Sequence, residues 1–238
     1  MHRFFIENRD IEGQEIRLTG ENAAHGRVLR LRVGEEIVAA VSGGGIDYFC
    51  TVSEIAKSEI LAEITRTAEN KAEPAFEVVL FQALPKGGKM AEIVEHATEL
   101  GVSAIVPFVS ERCLARGENI LRWQRIAESA AKLSHRGKIP QIHEVLSFRE
   151  AVSLARRFAL AFACYELENQ LSIINYQLSI EGSLAFFVGP EGGFTPEEAD
   201  YFRQNGILTV SLGSRILRTQ SAAAFVMAII NYQLSIIN

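Results

Sequence analysis

The chain has 238 residues, of which 48% are hydrophobic and 22% charged, and its formal net charge is −5. This composition is that of an ordinary globular protein with one large domain or two small ones, and the net charge does not indicate nucleic-acid binding, although it says little about a local patch. Three cysteines without a C-x-x-C motif argue against a disulfide framework or a zinc site. With no apolar signal segment and no apolar run of bilayer length, we expect a reduced, cytoplasmic, soluble protein without metal or membrane partner.

The first 70 residues are predicted to be all-β. Short apolar runs separated by glycine-bearing turns predict five strands at Arg3–Ile6, Glu15–Leu18, Glu36–Val41, Tyr48–Ile55 and Ile60–Ile64. So many short strands in so few residues favour a small barrel. A polar linker over residues 69–74 then ends at Pro74, which sets the predicted domain boundaries at 1–70 and 74–238.

After Pro74 strands and helices alternate. The predicted strands are Phe76–Leu84, Ser103–Val109, Phe158–Cys164, Leu184–Val188 and Ile207–Leu212. The predicted helices are Lys89–Leu100, Asn119–His135, one from Ser147 to about Arg157, and one from Thr195 to Asn205. This alternation predicts an α/β fold with a parallel sheet covered on both faces.

Two of these helices carry strong start signals. Ser147 with Glu150 forms one predicted capping box. Thr195 with Glu198 forms another, and Pro196 at the first helical position preorganises that turn.

One octapeptide occurs twice. Residues 173–180 are identical to residues 229–236, and residues 170–175 recur at 233–238. Solenoid repeats have longer periods and at least three copies. We therefore interpret segments 170–180 and 229–238 as a short repeat inserted once in a loop and once over the C-terminus; a paired or swapped strand is the alternative.

Two glycine-bearing loops are predicted at neighbouring strand ends, where open α/β sheets bind ligands. They are Gly189–Phe194 (GPEGGF) and Leu212–Thr219 (LGSRILRT). GPEGGF is neither a dinucleotide fingerprint nor a phosphate-binding loop, and Glu191 within it would repel phosphate. The loops therefore indicate a cleft for an uncharged or cationic ligand, with a tight strand-to-helix turn as the alternative.

Arginine and lysine are locally enriched despite the negative net charge. Residues 111–138 carry seven of them against three glutamates, and residues 203–218 hold three arginines and no acid. Such runs are typical of a solvated helix face or of an RNA-binding surface, and both interpretations stay open.

Further short motifs extend along nearly the whole chain. They are Arg3-Phe4-Phe5, His25 with Val28–Leu31 and Gly34, Gln82–Lys86, Ala97–Val102, Pro107, Arg112, Arg122-Trp123, Ser134 with Arg136, and Pro140. With the two loops, in this order and spacing, the chain resembles the bacterial 16S ribosomal RNA uracil-N3 methyltransferases of the SPOUT, or trefoil-knotted, superfamily.

The resemblance implies an N-terminal PUA-like β-barrel that helps to hold RNA and a C-terminal α/β domain with a deep trefoil knot. It also implies a homodimer that binds S-adenosylmethionine and acts on 16S ribosomal RNA of the small subunit. Its cofactor loops correspond to residues 165–167, 189–193 and 212–217. The implied cofactor-binding residues are Tyr165, Leu167, Gly189, Glu191, Gly192, Leu212, Gly213, Ile216 and Leu217.

The chemistry assigns roles to basic residues. Uracil N3 carries a proton and must become nucleophilic, so a cation that stabilises the developing anion would assist, and Arg218 is the candidate catalytic residue. A salt bridge that caps the sheet is the alternative for Arg218. The candidate RNA contacts are Arg3, Arg30, Lys86, Arg112 and Arg136.

Two positions depart from the family pattern. The family usually reads Leu-Arg-Thr-Glu-Thr-Ala, where this chain has Gln220 in place of the glutamate, and Leu133 replaces a usual glutamine. If the missing carboxylate were a general base, a loss of roughly 10²–10⁴-fold in rate would follow. The alternatives are therefore a catalytically impaired RNA-binding or ribosome-assembly protein, or a SPOUT methyltransferase with another RNA target.

Overall fold

The structure, a computed structural model, describes residues 1–114, 119–168 and 182–237. It divides into two compact units, Met1–Glu73 with Ala131–Ile139, and Pro74–Ala130 with Pro140–Asn238. The segment 131–139 thus belongs with the first unit, whereas the sequence-based boundaries placed it in the second. None of the helices in the described ranges has the length and apolarity needed to cross a membrane.

The first unit is built on a six-stranded sheet in the order β1-β4-β5-β6-β3-β2. Its elements are β1 (His2–Ile6), β2 (Ile11–Glu12), β3 (Glu15–Thr19), α1 (Gly20–Val28), β4 (Glu36–Val41), β5 (Ile46–Ile55) and β6 (Glu59–Glu69). β1 pairs with β4 in parallel, and the other pairs are antiparallel. Alternate apolar residues of these strands fill one core, and all five predicted strands are confirmed.

The all-β prediction is wrong at α1. This helix buries only Ala23 and Gly26, so it lacks the apolar periodicity by which helices are recognised. Gly26 packs closely against the sheet, because a Cβ there would lie 2.5 Å from Ile60 Cδ1 on β6 and would force that side chain to shift. The residue that weakens the helical signal is the one that lets α1 approach the sheet.

The second unit contains a parallel sheet in the order β10-β8-β7-β12-β11-β13, with β9 also paired to β8. Its strands are β7 (Glu77–Ala83), β8 (Ala104–Val109), β9 (Gln141–Ile142), β10 (Leu146–Ser147), β11 (Leu160–Cys164), β12 (Ser183–Val188) and β13 (Leu208–Val210). Its helices are α2 (Met90–Glu99), α3 (Ile120–Leu133), α4 (Phe148–Ala155), α5 (Pro196–Gln204) and α6 (Thr219–Ile237). The predicted α/β class is confirmed.

Both faces of this sheet are covered. On β7, Val78 and Leu80 point into one core, whereas Val79 and Phe81 point into the other. A strand buried on both faces reads as a continuous apolar run, which explains why this one was predictable. Both capping boxes are also confirmed, since Ser147 and Thr195 accept the backbone N–H of Glu150 and Glu198. The trefoil knot stays a prediction.

The structure describes the second of the two repeat copies and not the first. The copy at 173–180, within segment 170–180, lies outside the described residues. The copy at 229–236 lies in α6, where Ile230 is fully buried and Asn231 Nδ2 donates to Leu100 O at 2.9 Å. We expect deletion of residues 170–180 to leave soluble yield and melting temperature close to those of the parent chain. Loss of soluble protein on that deletion would contradict the interpretation as an inserted segment.

Candidate functional site

Three loops meet at one edge of the parallel sheet. β12, β11 and β13 are neighbours, and their carboxyl ends are followed by Gly189, Tyr165 and Ser211. These loops line a cavity of about 420 Å³. The carboxyl edge is where open α/β sheets bind ligands, and this volume falls in the range of small-molecule sites, about 300–1,000 Å³.

The cavity gathers most of the predicted cofactor residues. Seven of the nine line it, namely Tyr165, Gly189, Glu191, Leu212, Gly213, Ile216 and Leu217. Leu167 and Gly192 are not among the lining residues. Leu167 is exposed, and the Gly192 carbonyl instead accepts a hydrogen bond from Arg112 Nη1 at 2.6 Å.

The GPEGGF loop is held as a tight turn. The Gly193 N–H donates to Pro190 O at 2.9 Å, and the Phe194 ring that follows is buried between Phe108 and Phe202. Gly193 has φ +65°, and a Cβ at this position would collide with the Glu166 carboxylate. A side chain at Gly193 would therefore displace Glu166, which belongs to the neighbouring loop.

We expect Gly193→Ala to weaken ligand binding in the cavity, because the left-handed backbone costs a non-glycine residue about 1–2 kcal/mol and the methyl group displaces Glu166. The comparison is with Gly206→Ala, which has φ +77° but open space around its Cβ. Both variants carry the backbone strain, and only Gly193→Ala alters the cavity. Titration calorimetry checks this, and equal ligand affinity in the two variants would refute the close-approach argument.

Glu191 is held as a carboxylate by its neighbours. Burial alone would raise its pKa, but hydrogen bonds from the Lys89 ammonium and from the Lys86 backbone N–H outweigh that effect and hold the pKa below its usual value. The cavity wall thus presents a negative charge that is already paired. A cationic ligand is compatible with it, as the sequence indicated.

Arg218 lies at the end of the second loop, directly before α6. It is exposed and lines the cavity. The alternative of a sheet-capping salt bridge finds no support, since Arg218 forms no ion pair with any residue that the structure describes. Its charge is available to a bound molecule.

Sequence reasoning missed several lining residues. Those outside the predicted loops are Lys89, Cys164, Val188, Ser211, Gln220 and Ala222. Most directly adjoin residues that were predicted, so the signal was their position at a strand end. Burial raises the pKa of the Cys164 thiol to about 12, so this residue lines the wall as a neutral thiol. Within the described ranges, no group of three or more His, Cys, Asp or Glu side chains could hold a metal ion.

The predicted RNA contacts fall into two groups. Arg30 and Lys86 are exposed, and Arg112 is exposed while its guanidinium donates to the GPEGGF loop. Arg3 and Arg136 are different: they are only 6% and 1% exposed. Phosphate contact requires an accessible cation, so these two do not fit that role.

Arg3 and Arg136 instead form buried ion pairs in the first unit. Arg3 Nη1 and Nη2 donate to Asp47 Oδ1 and Oδ2 at 2.8 and 2.6 Å. Arg136 Nε and Nη2 donate to Glu73 Oε1 and Oε2 at 3.1 and 2.6 Å. The prediction of RNA contact for this pair is corrected accordingly, because both guanidinium groups are already paired away from solvent.

Comparison with known families covers both units. A family described as an RNA methyltransferase domain matches residues 71–231, and one described as an RNA methyltransferase PUA domain matches residues 18–65. The chain is 35% identical to the ribosomal RNA small subunit methyltransferase E of Synechocystis sp. over 86% of this chain and 68% of that protein. It is 31% identical to the protein of the same name from Aquifex aeolicus, over 97% and 99% of the two chains.

Solved structures agree with these matches. The ribosomal RNA small subunit methyltransferase E of Neisseria gonorrhoeae, bound to S-adenosylmethionine, superposes with a TM-score of 0.88 at 29% identity, covering 98% of this chain and 97% of that one. The agreement extends over both units of the fold.

Proposed function

Because the chain belongs to the ribosomal RNA small subunit methyltransferase E family, we propose that it transfers a methyl group from S-adenosylmethionine to N3 of a uridine in 16S ribosomal RNA. The observation that carries this proposal is the cavity at the carboxyl ends of β11, β12 and β13. It is walled by the two loops that the sequence singled out.

The residues present fit the cofactor. S-adenosylmethionine is a sulfonium cation with an adenosine, and the cavity offers a paired carboxylate, backbone groups at Gly189 and Gly213, and apolar surface from Leu212 and Leu217. A Cβ at Gly193 would displace the Glu166 carboxylate, which also lines the cavity. We propose that Tyr165, Gly189, Glu191, Leu212, Gly213, Ile216 and Leu217 hold the cofactor.

Arg218 is the proposed catalytic residue. The bound cofactor supplies an electrophilic methyl group. The Arg218 guanidinium, exposed at the cavity, would stabilise the negative charge that develops as N3 gives its proton to solvent base and accepts the methyl group, with S-adenosylhomocysteine as the other product. The loops contribute by orientation, which is worth up to roughly 7–11 kcal/mol in favourable displacement reactions.

The proposal includes RNA contacts on each unit and an assembly. Arg30 on the first unit and Lys86 on the second are exposed cations suited to phosphate contacts, and Arg112 adds a charge beside the GPEGGF loop. We propose a homodimer as the active form and the cytoplasm as the place of action, in keeping with a ribosomal substrate.

The proposed activity is tested by incubating the protein with S-adenosylmethionine and small subunits from a strain that lacks this gene. Nucleosides from the recovered RNA are then identified by mass spectrometry. Formation of 3-methyluridine at one position supports the proposal, and methylation at another atom overturns the N3 assignment. Absence of cofactor binding in calorimetry would instead favour the RNA-binding or assembly alternative.

Gln220 bears on the impaired-enzyme alternative. Its Nε2 donates to Glu92 Oε2 on α2 at 3.4 Å, so a carboxylate does lie beside this position, contributed by another element. A glutamate at 220 would face Glu92 as a like charge. The amide is therefore matched to its surroundings in this chain.

We expect Gln220→Glu to lower methylation modestly, because two carboxylates would repel at the cavity wall. The exchanged pair Gln220→Glu with Glu92→Gln restores an amide beside a carboxylate and should recover the parent rate. Single-turnover measurements check this. A rise of about 10²-fold or more in Gln220→Glu would contradict the expectation and identify a lost general base.

A further inference from the structure

Gln82 is a buried polar residue inside an apolar strand. It lies on β7, is fully buried, and takes the place that the alternation of Val78, Leu80 and Leu84 assigns to the core beneath α6. Burying a carboxamide in such a position costs free energy unless hydrogen bonds compensate for the lost contact with water. The proposed function gives this residue no role.

The side chain starts a chain of hydrogen bonds across the sheet edge. Gln82 Nε2 donates to Ala83 O and to Thr219 Oγ1, both at 2.9 Å. Thr219 Oγ1 in turn donates to Gly189 O at 2.7 Å. Gln82 and Thr219 are 137 positions apart in the sequence, yet the relay joins β7, the start of the GPEGGF loop and the first residue of α6.

The direction of the relay is fixed. The Ala83 carbonyl can only accept, so the amide nitrogen of Gln82 must face it. The other amide hydrogen then meets Thr219 Oγ1, which leaves the hydroxyl hydrogen for Gly189 O. Within the described part of the chain, Gln82 Oε1 has no hydrogen-bond partner, so the orientation is kept although it leaves a buried acceptor unpaired.

The relay ends on the cavity. Gly189 and Thr219 both line it, and Thr219 directly follows Arg218. The Arg218 carbonyl is held as well, since it accepts from the Ala222 N–H at 2.8 Å. The backbone at Arg218 is thus held by the first turn of α6, through the Ala222 N–H and through Thr219, whose hydroxyl is bonded to Gly189 O.

We propose that Gln82 and Thr219 are positioning residues that set the distance between the two cavity walls and the direction of Arg218. The proposal rests on the proposed function, because it assigns to the relay the geometry of that site. Neither side chain needs to touch RNA, and Gln82 does not line the cavity. Their effect is transmitted through Gly189 and Arg218.

The test compares near-isosteric variants of the full chain. Thr219→Val and Gln82→Met remove the relay, and Thr219→Ser keeps the hydroxyl. Ser103→Ala is the matched control, because it removes a buried hydroxyl that binds Val78 N–H at 3.1 Å at the amino end of the same sheet. The readouts are affinity for S-adenosylhomocysteine by calorimetry, melting temperature without ligand, and the single-turnover rate on small subunits.

Thr219→Val and Gln82→Met should each lower the rate or the affinity by roughly tenfold or more, since misplaced reacting groups are costly. Their melting temperatures should stay at or above that of Ser103→Ala, because Gln82→Met also removes an unpaired buried oxygen. The double variant should be no worse than Thr219→Val alone, and Thr219→Ser should match the parent.

Two results would overturn the inference. The first is that the relay variants bind S-adenosylhomocysteine and methylate small subunits as well as the active parent protein does. The other is a set of losses that follows melting temperature across all variants, Ser103→Ala included. A parent that binds no cofactor would overturn the proposed function itself, which keeps the two failures distinct.

Discussion

Arg218→Ala is expected to slow methyl transfer strongly while leaving cofactor affinity nearly unchanged. Arg218 is exposed at the cavity and unpaired among the described residues, so its removal neither opens the core nor breaks an ion pair. Loss of a single group that stabilises transition-state charge lowers rates by about 10²–10³-fold. Single-turnover kinetics on small subunits and calorimetry with S-adenosylhomocysteine measure the two effects separately.

The pH profile of this variant sharpens the test. If Arg218 stabilises the uracil anion, higher pH should recover part of the activity of Arg218→Ala, because bulk base then removes the N3 proton. Arg218→Lys should fall between the parent and the alanine variant. Arg156→Ala, which removes an exposed arginine after α4, is the matched control and should behave as the parent. Equal loss of affinity and rate in Arg218→Ala would refute its catalytic role.

The parts of the fold that the sequence predicted are those with local signals. The start of α5 is predicted by Thr195, Pro196 and Glu198, which lie within four residues. The structure shows both hydrogen bonds of this capping box. The loop at Gly189 was predictable for the same reason, since glycines directly follow an apolar strand. α1 was missed because Gly26 and a small buried surface leave no periodic pattern to read.

The errors at the site concern partners that are distant in sequence. Arg3 was assigned to the RNA contacts as a basic residue, yet Asp47, 44 positions away, accepts hydrogen bonds from both of its terminal nitrogens. Burial alone would raise the pKa of Asp47, but the Arg3 and Asn70 hydrogen bonds hold it below its usual value. An arginine in a sequence shows its charge and not its pairing.

The relay through Gln82 and Thr219 lies beyond sequence reasoning for the same reason. Both residues belong to motifs that the sequence singled out, but their contact depends on β7 and α6 meeting at the carboxyl edge of the sheet. Pattern analysis therefore found the cavity walls and missed what holds them together.

Glu73→Gln is expected to destabilise the first unit, because it removes the carboxylate charge that pairs with the buried Arg136 guanidinium. Arg136 is 1% exposed, and Glu73 Oε1 also accepts the backbone N–H groups of Gly137 and Lys138 at 3.0 and 3.1 Å. Breaking a buried pair costs about 3–5 kcal/mol, and partial exposure of Glu73 reduces the expected loss to about 2–3 kcal/mol. Glu69→Gln, an exposed carboxylate nearby in sequence, is the matched control.

Chemical denaturation measures the loss in free energy of unfolding. RNA titration at several salt concentrations distinguishes an arginine that stabilises the fold from one that contacts RNA phosphate. A phosphate-binding arginine lowers the salt slope by about one when it is removed. Arg30→Ala should show that change with an unaltered denaturation midpoint, whereas Arg136→Met should shift the midpoint and keep the slope. If Glu73→Gln leaves the denaturation midpoint unshifted and Arg136→Met lowers the salt slope of RNA binding, Arg136 contacts RNA. That result would contradict the buried ion pair as its role.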